Sequence, residues 1–407
     1  MKIFFSVGEP SGDVHGANLI RELRRQNPSI EAVGFGGPRM AAAGCQLHTD
    51  LTQLAVMLLF RALVNLHRFL ALLWQADRYF RDQRPDAVVL IDFPGFNWWI
   101  ARRAKARGIP VIYYGTPQLW GWAGWRVKRM RKYVDHIICK LPFEVQWYAE
   151  RGCRALFVGH PFFDQLSQQT YDDAFLAEQQ RRAGRLVAIL PGSRMQEVEG
   201  NLPTFLKAAA EVQQRLPETR FAIASFNERQ ARVARQMLAD LPADQRPRAD
   251  VFVERTPELM KLADCCIACS GSVSLELMYH AKPTVIHYKV HRLGMQLQQW
   301  FRNVRYITLV NLLAVENRFR HDQEPAYDPD APQAEDVPFP EYLTNEDKSG
   351  RIAGWIERWL TDESERLRRV RWLEQLRTTN GSPGASRAAA EYILTVLRPT
   401  SGVRQAA

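Results

Sequence analysis

The sequence predicts an α/β protein of two doubly wound domains facing each other across a cleft, with helices at the C-terminal end. Three observations carry that expectation. At 407 residues the chain is too long for one ordinary core. Short apolar runs alternate with helical patterns almost throughout, which is the pattern of a parallel sheet with helices on both faces. Turns rich in Gly, Pro and Ser follow several of the apolar runs, as a tight strand-to-helix connection requires.

In chain order, the first half carries apolar runs at Lys2–Val7, Glu31–Phe35, Ala87–Ile91, Val111–Tyr114, His136–Cys139 and Ala155–Val158. A polar helix-like stretch from Gln165 to Arg185 separates the halves. The second half carries Leu186–Leu190, Arg220–Ala224, Val251–Val253, Cys265–Ala268 and Thr284–His287. His321–Val337 is acidic and Pro-rich and reads as an inserted loop; Asp328-Pro329-Asp330 within it reads as a solvated turn. Past Ser349 the chain is a run of charged helices to Leu397. The expected domains are 1–165, 166–355 and 356–407.

With 46% hydrophobic and 24% charged residues, the composition is that of a globular chain and excludes a disordered one. A formal charge of +10 points to an anionic partner: an acidic substrate, phospholipid head groups or nucleic acid. No nucleic-acid-binding module is recognisable. Met1–Gly8 turns too soon after its apolar run for a signal peptide. Six cysteines without regular spacing fit a reducing cytoplasm. Cys265, Cys266 and Cys269 read as core packing, and no metal site or cofactor is expected.

Two turns carry the chemistry. Pro191-Gly192-Ser193-Arg194 follows an apolar run, and a guanidinium at that point can fork two oxygens of a diphosphate. Glu197 follows one turn later. Ser270-Gly271-Ser272 opens a second helix, whose first N–H groups and positive dipole end suit an anion. Glu276, one turn inside, is placed to accept hydrogen bonds from a ribose diol. Each turn alone is as well explained by small residues in a tight connection; together they favour a sugar-nucleotide site.

Leu54–Trp74 is strongly apolar, but Arg61, Asn65 and Arg68 interrupt it at helical spacing, so it does not read as a bilayer span. A core helix and a membrane-facing surface both fit it. Trp98-Trp99 followed by Arg102 and Arg103, and Trp122 and Trp125 followed by Arg126, Lys128 and Arg129, tilt the reading towards an anionic membrane surface. Leu58, Leu59, Phe60, Trp98, Trp122 and these cations are the expected acyl-chain and membrane contacts.

Several short motifs occur in order along the chain: Gly8-Glu9-Pro10-Ser11-Gly12-Asp13, Gly36-Gly37-Pro38-Arg39-Met40, Ile91-Asp92-Phe93-Pro94-Gly95-Phe96-Asn97, Pro117-Gln118-Leu119-Trp120, Leu141-Pro142-Phe143-Glu144, Gly159-His160-Pro161, the Pro-Gly-Ser-Arg turn and Val310-Asn311-Leu312-Leu313. In these the chain resembles the lipid-A-disaccharide synthases, glycosyltransferases of the GT-B fold, which implies two Rossmann-like domains and a last helix crossing back to the first. The resemblance implies metal-independent, inverting transfer of 2,3-diacylglucosamine from its UDP derivative to 2,3-diacylglucosamine 1-phosphate, on the cytoplasmic face of the bacterial inner membrane. It places Asp92 at the essential acid, with Arg194 on the leaving diphosphate. Gly192, Ser193, Glu197, Ser270, Gly271, Ser272, Glu276 and Asn311 fall on the UDP-sugar side, and Glu9, Ser11, Asp13 and Asn97 on the acceptor side. Glu9 and Asp13 are rival bases; His15 and His160 are chemically capable but read as structural. Gly95 and Arg61 depart from the family pattern, in which many members carry Asp and Glu there. Two alternatives stay open: another UDP-sugar enzyme such as a UDP-N-acetylglucosamine epimerase, and a non-catalytic peripheral membrane protein. Self-association as a homodimer is also left open.

Overall fold

The computed structural model of the chain describes residues 1–53, 66–291, 294–295, 300–320, 327–332 and 334–398. Leu58, Leu59, Phe60 and Arg61 lie outside the described residues. Two compact units form: Met1–Gln168 together with the segment from Ser382, and Gln169–Gly381.

The first unit is built on β1 Lys2–Val7, β2 Glu31–Gly36, β3 Gln46–Asp50, β4 Ala87–Ile91, β5 Val111–Tyr114, β6 His136–Cys139 and β7 Ala155–Phe157. Their spatial order is β3-β2-β1-β4-β5-β6-β7, with parallel pairing throughout. The second unit uses β8 Leu186–Leu190, β9 Arg220–Ser225, β10 Ala249–Val253, β11 Cys265–Ala268, β12 Thr284–Lys289 and β13 Glu341–Thr344. Its order is β10-β9-β8-β11-β12-β13, again parallel. Each sheet therefore reverses its winding once, between β1 and β4 and between β8 and β11. Loops leaving the carboxyl ends of strands at such a reversal border the crevice where doubly wound sheets take ligands.

The central strands β4, β5, β8 and β11 are buried at every position. Burial on both faces is why they read as unbroken apolar runs. Two edge strands escape that rule. β3, Gln-Leu-His-Thr-Asp, is polar and partly exposed; β13 follows the Pro-rich segment and pairs with β12 through Ile286↔Glu341 to Lys289↔Thr344.

The helix Ala385–Leu397 packs on Pro10–Gln26 in the first unit, and Ala389, Ala390, Ile393 and Leu394 join the core of β1 and β4. Asp164 fastens its start by accepting the backbone N–H groups of Gly384, Ala385 (3.2 Å) and Ser386 (2.8 Å). Ser349–Thr361 and Glu363–Asn380 stay with the second unit. Residue 356 thus falls inside a helix, and the C-terminal helices divide between the units. Asp328, Asp330 and Asp336 of the acidic segment are tied down rather than merely solvated. Asp328 accepts the N–H of Asp330 in a turn (3.0 Å), and Asp330 in turn accepts from Tyr342 (3.0 Å). Asp336 pairs with Arg368 (2.6 Å) and with the buried Arg369. Among the described residues, no helix is long and apolar enough to cross a membrane.

Candidate active site

In the first unit, the loops after β1 and β4 meet around Asp92. Register pairs Val7 with Ile91, so Gly8 and Asp92 leave neighbouring strand ends. Asp92 and Phe93 both adopt left-handed backbone, φ +47° and +43°. Such angles persist only where the surroundings impose them. Here the buried Asn97 amide donates to the carbonyls of Asp92 (2.8 Å), Ser6 (3.2 Å) and Ile91 (3.3 Å), while Ser6 Oγ donates to Asn97 Oδ1 (2.7 Å). Tyr113 donates its hydroxyl to the Asp92 carbonyl at 2.6 Å. A Cβ at Gly8 would come within 2.3 Å of the Phe93 ring, so only glycine lets the two loops approach. Asn97 therefore acts on the backbone that carries Asp92; its own side chain is fully buried.

Asp92 Oδ1 accepts from Lys140 Nζ at 2.9 Å, with both side chains about one-seventh exposed (15% and 14%). Burial works against the lysine charge, but the Asp92 charge and hydrogen bond, with Glu144 and Glu9 nearby, hold its pKa above the usual value. Burial lowers the His15 pKa to about 4 and that of His160 well below its usual value, so both rings are neutral at pH 7. Asp13 is buried and accepts the N–H groups of Gly37, Arg39 and Met40, each at 3.0 Å, capping the helix Pro38–Ala42. A carboxylate committed to three backbone donors anchors the next loop and is poorly placed to serve as a base. Glu9 and Ser11 are exposed at the start of Pro10–Gln26. Trp120 and Glu144, from two of the sequence motifs, meet at 2.9 Å; Glu144 also accepts the N–H groups of Lys140 and Leu141, both at 3.0 Å.

In the second unit, the loops after β8 and β11 are neighbours through the pairing Leu190↔Ala268. Gly192 sits at φ +132°, where a Cβ would meet Glu197 Cβ at 2.4 Å. Arg194 caps the helix Met195–Arg215: its N–H donates to Glu197 Oε2 (3.1 Å), and its guanidinium, 79% exposed, lies 3.6 Å from Glu197 Oε1. The capping box thus leaves the guanidinium in solvent while it holds the backbone. Gln230, which no sequence motif flags, donates to the Ser193 carbonyl at 2.7 Å and fixes the loop from the helix Glu228–Asp240 that follows β9. Ser270 Oγ donates to the Ile307 carbonyl at 3.2 Å, and Gly271 and Ser272 are exposed. Glu276 is half-buried, and that burial pushes its pKa up to about 7 against a hydrogen bond from Gln169. Asn311 lies apart in role: fully buried, it donates to the Phe339 carbonyl (2.8 Å) and Glu341 (2.9 Å) and accepts from Phe339 N–H (3.1 Å). Its amide secures β13 rather than facing solvent.

Of the aromatic and basic positions singled out in the sequence, the structure exposes some and buries others. Trp98 is buried beside Tyr113, with ring centroids 5.8 Å apart, so it belongs to the core. Its neighbour Trp99 is the exposed one, because successive helical residues point about 100° apart. Trp122, Trp125, Leu70 and Trp74 are exposed, Trp74 at 74%. They stand on adjoining elements of the first unit: Leu66–Gln83 packs on Pro94–Ala106, which packs on Val127–Tyr133, and the short helical turns Leu119–Trp122 and Gly124–Arg126 lead into that last helix. Arg126 and Arg129 lie 5.1 and 5.9 Å from the Trp125 ring centroid. Lys128 and Arg129 are exposed, whereas Arg126 is half-buried.

The profile of the lipid-A-disaccharide synthetase family matches residues 3–356. The lipid-A-disaccharide synthase of Trichlorobacter lovleyi is 32% identical over 397 residues, covering 97% of each chain. Among solved structures, the S. aureus MnaA–UDP co-structure superposes with a TM-score of 0.61 at 11% identity, over 97% of this chain and 96% of that one. MurG of Acinetobacter baumannii gives 0.55 at 13% identity, over 97% and 99%. Likeness at such low identity speaks for the fold alone, two Rossmann-like units of the GT-B type. The sequence relatives speak for more: matched from its first strand into the helix Ser349–Thr361, the chain belongs to the lipid-A-disaccharide synthase family.

Proposed function

We propose that the protein transfers 2,3-diacylglucosamine from UDP-2,3-diacylglucosamine to 2,3-diacylglucosamine 1-phosphate with inversion, releasing UDP. One observation carries the reading. The loops bearing Glu9–Asp13, Asp92–Asn97, Gly192–Glu197 and Ser270–Glu276 are those that leave the strands flanking the two winding reversals. In this reading the acceptor hydroxyl oxygen bonds to the anomeric carbon as the bond to the diphosphate oxygen breaks. Asp92 takes the hydroxyl proton, and the leaving charge falls on Arg194 and the N–H groups of the Gly192–Arg194 turn. A guanidinium and fixed dipoles aimed at developing charge are the strongest aid a static site can give. Glu276 accepts from the ribose, and the first unit takes the acceptor. Asn97 and Asp13 position their loops, and Asn311 holds β13.

The protein works as a peripheral enzyme on the inner face of the inner membrane. Acylated sugars leave a bilayer at about 0.8 kcal/mol per methylene, so the enzyme must meet them there. Trp74, Leu70, Trp99, Trp122 and Trp125 with the adjoining cations are the surface that suits such a contact. Incubating the protein with both substrates and weighing the lipid product tests the reaction directly. Release of UDP without a disaccharide, or no turnover on either, overturns it.

A further inference from the structure

The geometry assigns Lys140 as the positioning residue for Asp92: it holds carboxylate Oδ1 so that Oδ2 is the oxygen presented to the acceptor hydroxyl. This rests on the proposed role of Asp92 as base. Three contacts aim the lysine. Glu144 holds its backbone, accepting the N–H groups of Lys140 and Leu141 at 3.0 Å each. Its stem lies along Gly115, whose φ of +70° favours glycine and where a Cβ would stand 3.2 Å from Lys140 Cδ. Its ammonium then reaches past β5 to the end of β4 and donates to Asp92 Oδ1 at 2.9 Å. The other oxygen, Oδ2, faces the first turn of the helix Pro10–Gln26: it lies 3.6 Å from where a Cβ would stand at Gly12.

A carboxylate with one oxygen held and its backbone locked by Asn97 and Tyr113 has little rotational freedom left. That is what a base needs, since displacing a reacting group by about 1 Å can cost about a hundredfold in rate. Glu9, His15, Tyr113, Glu144 and His160 surround the pair.

The test is a cycle of Lys140→Met, Asp92→Asn and the double variant, each read for kcat, for KM of the UDP-sugar and for thermal unfolding. Lys140→Met is expected to lower kcat by about a hundredfold while leaving the donor KM within about twofold. In the Asp92→Asn background the same change should alter the residual rate by no more than about twofold, because the carboxylate it positions is gone. A Lys140→Met enzyme with parental kcat overturns the assignment. So does an equal loss in both backgrounds, which would mark a purely structural lysine. If Lys140→Met fails to fold, Lys140→Gln, which keeps an N–H donor without the charge, serves the same comparison: reduced kcat at constant KM supports the role, and parental kcat refutes it. Full activity in Asp92→Asn alone would instead remove the base itself, an outcome distinct from failure of the lysine.

Discussion

Asp92 holds a backbone conformation that costs a non-glycine residue roughly 1–2 kcal/mol, and the protein invests Asn97 and Tyr113 in keeping it there. Asp92→Asn is nearly isosteric, so the variant should fold and bind UDP like the parent while losing about a hundred- to ten-thousand-fold in turnover. Retention of half the activity would move the base elsewhere. Glu276 supplies a second test at this scale. Its burial sets the carboxyl near pH 7, and a ribose diol prefers the ionised acceptor. Ligand that favours the deprotonated form binds more tightly as pH rises through that value. UDP affinity measured by calorimetry should therefore strengthen between about pH 6 and pH 8, by at most tenfold per unit. Glu276→Gln should flatten that dependence; a steep profile that survives the change would exclude Glu276 as its source. Lys140 was not legible in the sequence, because its partner is a residue on another strand and no local pattern joins the two. Asp13 was legible as important but not in its task, since the N–H groups it caps belong to a later helix.

At the scale of the element, what could be read was whatever leaves a local trace. Strands buried on both faces are continuous apolar runs, so β4, β5, β8 and β11 stand out. β3 does not, because a polar edge strand exposes the face that would have shown alternation, and β13 hides behind prolines that suggest only loop. Trp98 and Trp99 look equivalent in the sequence and differ only through the helix rotation between them. The Gly192–Arg194 turn, held by Glu197 and Gln230, behaves as one device. Arg194→Ala should weaken UDP binding and slow turnover, with Lys restoring only part, because an ammonium cannot fork two oxygens. Unchanged affinity and turnover in the Ala variant would contradict the assignment. On the proposed assignment this turn supplies the positive field, so activity should persist in EDTA; loss that magnesium restores would contradict that assignment.

For the whole molecule, a charge of +10 and the exposed tryptophans of the first unit argue for an interface that is both electrostatic and apolar. Replacing Leu70, Trp74 and Trp125 by Ser should reduce sedimentation with anionic vesicles and activity on acylated substrate, but not affinity for UDP. Substituting Lys128 and Arg129 should remove mainly the salt-sensitive part, since exposed charges are screened over about 8 Å at physiological ionic strength. Parental vesicle binding by both variants would place the contact elsewhere.

The helix Ala385–Leu397, pinned by Asp164 and packed on Pro10–Gln26, gives the chain a problem of timing. Leu19, Ile20 and Leu23 belong to a core that also needs Ala389, Ile393 and Leu394. Everything between Gln169 and Gly381 is synthesised before those partners exist. At about 5–20 residues per second, the nascent first unit waits roughly 10–40 s with that apolar surface uncovered. The second unit has no such gap and can close while still near the ribosome. Translation of this protein should therefore produce its second unit folded and its first unit waiting, and chains stopped before Ser382 should collect as aggregates held through the first unit.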